Sequence, residues 1–182
     1  MKKIAWTVLF LGLSGSVFAG GSLDIALSQE SVRIEHDATR IGTGMHLTAG
    51  MLYQENDGYA LSAGFDAVDV SNPDADLVGG LGIKGFLYDS YDPAFSAAVG
   101  GFFRYSPDFF NGLGFEGMLY YSPDVISFND TRSFYELVAR VTYKVMPQAR
   151  VFLGYQDVTA DYEDGGEQPI DRAFTIGFRI NY

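Results

Sequence analysis

Apolar and polar residues alternate at every second position along most of this chain, and no stretch repeats apolar residues at helical spacing. That is the signature of strands with two unlike faces. Met45, Leu47, Ala49, Met51 and Tyr53 share one face, while Gly44, His46, Thr48, Gly50, Leu52 and Gln54 share the other. Asn56-Asp57-Gly58 then turns the chain, because Asp-Gly tolerates the positive φ of a tight hairpin. Tyr59, Leu61, Ala63, Phe65 and Ala67 resume the apolar face against Ser62, Gly64 and Asp66, until Ser71-Asn72-Pro73-Asp74 interrupts. Segments 77–88, 95–105, 113–121, 135–145, 151–156 and 174–182 follow the same rule, which predicts eight strands after Met45. Before them Leu23, Ile25 and Leu27 alternate in one register and Val32 and Ile34 in another, with Gln29-Glu30 as a turn. This stretch adds two strands or none, since single-chain bacterial barrels have even strand numbers; ten is the favoured count, with the first two short.

The two faces differ in a way that selects a solvent. Almost all strand charges lie on one face, mixed with Gly, while the apolar face carries Tyr53, Tyr59, Phe95, Tyr105, Tyr121, Tyr135 and Tyr182 near strand ends, as interfacial girdles require. A strand of about ten residues crosses a bilayer when tilted. At the N-terminus Lys2 and Lys3 precede an apolar run from Ile4 to Leu13 and a small-residue stretch ending Val17-Phe18-Ala19. That reads as a signal peptide over 1–19, leaving 20–182 as one domain. After Ala19 no apolar run is long enough for a membrane helix. An exported chain with lipid-facing strands must therefore close its edges into a barrel. The predicted fold is all-β, a closed antiparallel transmembrane barrel of 8–10 strands in the outer membrane of a Gram-negative bacterium after Sec-type export; a soluble periplasmic barrel or sandwich is the alternative. The short 146–149 turn points to the periplasm and the long polar stretches 122–132 and 158–172 to the outside, which puts both chain ends in the periplasm.

Several runs carry a family resemblance. Phe115-Glu116-Gly117-Met118-Leu119-Tyr120-Tyr121-Ser122-Pro123-Asp124, Ser133-Phe134-Tyr135-Glu136 and Val151-Phe152-Leu153-Gly154-Tyr155 resemble the YfaZ-type outer-membrane proteins, as do Ser22-Leu23-Asp24-Ile25-Ala26-Leu27-Ser28 and Ala97-Ala98-Val99-Gly100-Gly101-Phe102. The resemblance implies a small outer-membrane β-barrel and supplies no catalytic residue. The last strand, with Phe174, Ile176, Phe178, Ile180 and Tyr182 on its apolar face, is similar to the C-terminal signal read by the barrel-assembly machinery, with Tyr in place of the usual terminal Phe.

Composition narrows the chemistry. With 12 Lys+Arg against 23 Asp+Glu the formal charge is −11, which excludes nucleic acid as a partner. No Cys is present, so disulfides, thiol catalysis and Cys-ligated zinc are excluded. The polar face collects Asp66, Lys84, Arg104, Glu116, Glu136, Arg140, Lys144, Arg150 and Arg179. Buried charges are costly unless paired, which predicts a lumen-filling salt-bridge network, with Glu116 as a partner for Arg140. A constriction selecting small polar solutes is the functional alternative. Asp157, Asp161, Glu163, Asp164 and Glu167 form an acidic stretch without the spacing of a calcium loop. It reads as a solvated external loop that shares divalent ions with lipopolysaccharide phosphates; no dedicated metal or cofactor site is expected. His46 and the Ser62 strand allow a third reading, a lipid hydrolase with a His-Ser pair; the bland alternative is a hydrogen-bonding lumen histidine. Tyr105-Ser106-Pro107-Asp108 and Tyr121-Ser122-Pro123-Asp124 repeat one strand-ending word, because Pro halts the ladder and Asp starts the turn. The expected function is thus a structural or interaction barrel, not an enzyme, contacting outer-membrane lipids and lipopolysaccharide.

Overall fold

The computed structural model describes residues 20–40, 44–56, 58–69, 76–90, 92–129 and 131–182; the expected leader 1–19, Asp57 and the 71–74 turn lie outside them. Among the described residues the strands are β1 (Gly21–Leu27), β2 (Ser31–Arg40), β3 (Met45–Gln54), β4 (Gly58–Val68), β5 (Leu77–Asp89), β6 (Ala94–Tyr105), β7 (Leu113–Ser122), β8 (Ser127–Phe128), β9 (Thr131–Met146), β10 (Ala149–Tyr162) and β11 (Gly166–Asn181). Each pairs antiparallel with its neighbours in the order β1 to β7, then β9, β10 and β11. β1 closes the ring onto β11, giving ten barrel strands, while the two-residue β8 is a stub on β6. Closure is tight, as the Gly21 N–H donates to the Tyr182 carbonyl at 2.9 Å and the Tyr182 N–H returns the bond at 3.0 Å. The ring is closed over its paired span, and backbone groups stay open only where one strand outruns its neighbour, as β11 does beyond Ile176.

The alternation is borne out strand by strand. On β3, Met45, Leu47, Met51 and Tyr53 point out and His46, Leu52 and Gln54 are buried; on β5, Leu81, Ile83 and Leu87 point out and Lys84, Phe86 and Tyr88 are buried. Tyr53 pairs across from Tyr59 and Tyr121 from Tyr135, so the girdle at one end is built from cross-strand tyrosines. The outer surface is thus apolar, and the inside holds both the buried charges and a cluster of buried aromatic and aliphatic side chains.

Three expectations need correction. The first hairpin exists and its turn is where Gln29-Glu30 placed it, but β2 has ten residues and is not short. Its outward positions include His36, which breaks the apolar run that defines a strand by hydrophobicity alone. The 158–172 stretch is not a loop: β10 runs to Tyr162 and β11 starts at Gly166, leaving a three-residue turn. Strand geometry persists there because the inward positions Val158, Ala160, Tyr162 and Ile170 are packed in the interior, while on the outer face Asp157 and Arg172 pair with each other. Most of 122–132 is likewise ordered, as a 3-10 turn over Asp124–Ile126, β8 and the start of β9. The connections 69–76 and 106–112, at the end where β1 begins and β11 finishes, have eight and seven residues against eight for 123–130 at the other, so loop length does not assign the outside.

The β10–β11 hairpin also bends. Val158 pairs with Asp171 but Thr159 pairs with Pro169, so Ile170 is an extra residue in a bulge. A bulge kinks its strand, and here the kink buries Ile170 completely and carries the tip across the mouth. The Tyr162 hydroxyl donates to the Asp92 carbonyl at the β5–β6 turn on the far side, at 3.1 Å.

Candidate functional site

The inside of the barrel gathers most of the buried charge of the described residues, and it has two layers. Beneath the bent hairpin lies an aromatic layer. Phe134, fully buried on β9, stacks between Phe86 at 4.5 Å and Tyr88 at 4.8 Å, with Ile170, Val158 and Ala160 packed on the same cluster. The Tyr88 hydroxyl exchanges a hydrogen bond with Ser96 at 2.8 Å and donates to Thr131 at 3.1 Å, so its polar tip is satisfied inside the layer. At the rim Ser31 Oγ donates to Asp171 Oδ2 at 2.7 Å, and Gln156 donates to the same carboxylate.

The second layer is ionic and spans the lumen. Its centre is Asp24 on β1, which the short apolar word Leu23-Asp24-Ile25 aims inward. Arg179 of the neighbouring β11 donates to Asp24 Oδ1 through Nε at 2.6 Å and to Oδ2 through Nη2 at 2.7 Å. Arg140 of β9 reaches the same Oδ2 at 2.7 Å. Arg179 also grips Glu116 of β7 at 2.6 and 3.0 Å. A parallel group forms around Arg33, whose Nη2 lies 2.6 Å from both Glu35 Oε2 and Glu136 Oε1. Lys84 Nζ sits 3.3 Å from Glu136 and 3.7 Å from Glu35. Strands far apart in sequence and on opposite walls are thereby tied together. Bidentate guanidinium–carboxylate geometry with both partners desolvated is the form in which buried charge is best compensated.

Toward the end that carries the chain termini, Asp37 accepts from His46 Nδ1 at 2.9 Å and from Arg104 at 3.4 Å. The Arg104 guanidinium lies over Phe102 at 4.8 Å. Arg150 donates to Thr142 at 2.8 Å. Asp66 accepts a short hydrogen bond from the Tyr120 hydroxyl. Between the ionic layer and this end a cavity of about 40 Å³ remains, room for a few waters. Thr48 Oγ1, Asp66 Oδ2 and Arg140 Nε border it without a protein partner. Close packing is visible at Gly177, where a Cβ would come within 2.2 Å of the Ile25 carbonyl and 2.4 Å of the Phe152 ring. That ring in turn carries the Arg140 guanidinium at 4.3 Å.

Of the predicted lumen residues, Asp66, Lys84, Arg104, Glu116, Glu136, Arg140, Arg150 and Arg179 do line the interior. Lys144 does not join them: it lies exposed near the end of β9. Glu116 is cross-strand neighbour to Arg140 as predicted, but its ion pair goes to Arg179 while Arg140 takes Asp24. Register sets adjacency; the long side chains choose partners across the lumen. Asp24, Arg33, Glu35 and Asp37 escape a reading that takes the first hairpin as short and follows its apolar residues, yet the same alternation that places Val32 and Ile34 outward places them inward. The acidic stretch is also split. Asp157 is buried and holds Thr159 at 2.7 Å and Arg172 at 2.9 Å, Asp161 and Glu167 pair within the hairpin, and Glu163 and Asp164 alone occupy its turn. His46 and Ser62 do not meet: His46 pairs with Asp66, four residues along β4 from Ser62, and its Nδ1 is committed to Asp37. Among the described residues no cluster of His, Asp and Glu could hold a metal ion.

Comparison with known proteins adds the following. No curated protein matches the sequence. Among solved structures, the crystal structure of the outer membrane channel DcaP of Acinetobacter baumannii is similar at 11% identity and a TM-score of 0.46; the match covers 87% of this chain and 54% of that one, so the present chain spans about half its length. The family model described as YfaZ precursor matches residues 1–182, the whole sequence, and the chain therefore belongs to the YfaZ family.

Proposed function

We propose that this chain is an outer-membrane barrel that does not conduct, and that it works as a structural or interaction protein of the envelope after signal-peptide removal and Sec-type export from the cytoplasm of a Gram-negative cell. The observation that carries this reading is the filled interior: the cavity beside the ionic layer holds about 40 Å³ and the one between Arg33 and Phe86 about 10 Å³. An eight- to ten-stranded barrel is already narrow, and here guanidinium and carboxylate groups bridge it from wall to wall. The chain termini face the periplasm in this reading, and the hairpin tip with Glu163 and Asp164 faces outward, where divalent ions would join it to lipopolysaccharide phosphates. The aromatic-ended last strand, Phe174 to Tyr182, is the segment offered to the barrel-assembly machinery. Folded full-length protein in planar bilayers is expected to show no unitary conductance.

A narrow path for small polar solutes is the second reading, favoured by the three unpartnered polar atoms around the cavity. Reproducible ion-selective steps that change in Glu116→Gln or Arg140→Gln would establish it and overturn the closed-barrel reading.

A further inference from the structure

We propose that a notch in the side of the barrel, between β11 and the β1–β2 turn, binds one membrane phospholipid with an ammonium-bearing head. This rests on the membrane reading above and adds a ligand at the end which that reading turns outward, so the phospholipid is one held among lipopolysaccharide. The notch exists because neighbouring strands differ in height. β1 stops at Leu27, opposite Ile176, whereas β11 continues to Gly166. Among the described residues, no strand pairs with β11 on that side beyond Ile176. Gly21 and Tyr182 exchange both backbone bonds. Since such pairs recur at every second residue of an antiparallel ladder, the backbone groups of Phe174, and of Arg172 beyond it, face the gap.

The space measures about 590 Å³ and its lining changes character along its length. Ser28, Gln29, Glu30 and Gln54 form a polar floor, and Tyr155 and Phe174 form the wall nearest lipid. Phe174 is 82% exposed and meets Tyr155 edge-on at 5.3 Å. Directly below, Leu27 and Ile176 are exposed on the outer face. An amphiphile matches that gradient: its acyl chain lies over Leu27, Ile176 and Phe174, and its glycerol and phosphate oxygens meet the backbone N–H groups of Phe174 and Arg172. The acidic floor favours a cation at the head. Glu30 is exposed and accepts only a long 3.4 Å hydrogen bond from Gln54 among those that involve its side chain in this structure. Asp171, held by Ser31 and Gln156, adds a second negative charge at the rim, and the positive charge of Arg172 in the same lining is taken up by Asp157.

An extended peptide is the other molecule that sheet edges attract. This edge deters it, because Pro169 lacks an N–H, the bulge at Ile170 bends the strand away and Arg172 places a charge beside it.

The test uses the folded full-length protein exchanged through vesicles of equal phosphatidylethanolamine and phosphatidylglycerol, then released into mild detergent for native mass spectrometry. One retained phosphatidylethanolamine per barrel is expected. Glu30→Gln should reduce its preference over phosphatidylglycerol about fivefold, the worth of one part-exposed ion pair, and Phe174→Ala should weaken retention of either lipid. Both side chains are exposed, and the variants are refolded in vitro without the assembly machinery, with folding checked by gel mobility before lipid exchange. Equal retention of the two lipids, a preference untouched by Glu30→Gln, or a continuous ladder of adducts would overturn the site while leaving the membrane reading standing. Bound peptide with new backbone protection at Phe174 and Arg172 would replace lipid by strand addition. Failure to enter vesicles at all would overturn the membrane reading and the site with it.

Discussion

Asp24→Asn probes the ionic layer at its most connected point. The carboxylate receives three guanidinium hydrogen bonds, two from Arg179 and one from Arg140, at 2.6 to 2.7 Å. Asparagine keeps the volume and one carbonyl acceptor, but it removes the charge and turns an amide N–H₂ toward cationic donors. Deleting one partner of a buried pair costs about 3–5 kcal/mol, because the remaining charge is stranded. Arg179 is partly rescued, since Glu116 still holds it at 2.6 Å. Arg140 keeps no other ion pair within 4 Å among the described residues, only the face of Phe152. The expected loss is therefore at the lower end, about 3 kcal/mol, roughly a hundredfold in the folding equilibrium. Reversible urea unfolding in lipid vesicles, followed by tryptophan-independent circular dichroism and by gel mobility of the folded form, measures it. The double variant Asp24→Asn/Arg140→Gln should recover a good part of the loss, since it removes the stranded cation together with its partner. A single-variant loss below about 0.5 kcal/mol, the range of ordinary surface changes, would refute the claim that this layer holds the barrel walls together.

Other outcomes follow from the same geometry. Phe134→Ala removes the ring shared by Phe86 and Tyr88 and should cost about 3–5 kcal/mol in the same unfolding assay. Tyr162→Phe deletes the bond to the Asp92 carbonyl; a loss of about 1 kcal/mol, with faster amide exchange confined to the tip of the β10–β11 hairpin, is the expected pattern. Gly177→Ala forces a methyl against the Ile25 carbonyl and the Phe152 ring, and should destabilise the β1–β11 seam by about 1–3 kcal/mol in thermal unfolding. Tyr182→Ser removes the terminal aromatic and should slow assembly by purified barrel-assembly machinery several-fold, whereas Tyr182→Phe should not.

The strands were legible because lipid imposes one rule on every outward position. Met45 to Tyr53 or Phe174 to Tyr182 need only be read two residues at a time. β2 was legible as a strand but not in its length, since His36 stands where the rule expects an apolar residue and stacks instead on Tyr182, 6.0 Å away. The interior obeys no such local rule. Arg140 had Glu116 beside it in register, yet it takes Asp24, which lies 116 residues away in sequence. Choices of that kind depend on side-chain reach across a closed ring and on what the competing Arg179 has already taken. The bulge at Ile170 was hidden for a different reason: Pro169 was a signal for it, but an acidic, glycine-bearing sequence suggested a loop first.

The seam between β1 and β11 has a consequence for timing. Gly21 and Tyr182 are held together by two backbone bonds, so the ring cannot shut until synthesis has passed β11. Asp24, on β1, meets Arg179, on β11, so the clasp joins segments made 155 residues apart. Such long-range pairing is slow to form. The unfinished sheet must travel with both margins bare, and a polypeptide cut short by even one strand would arrive with a keyhole and no key.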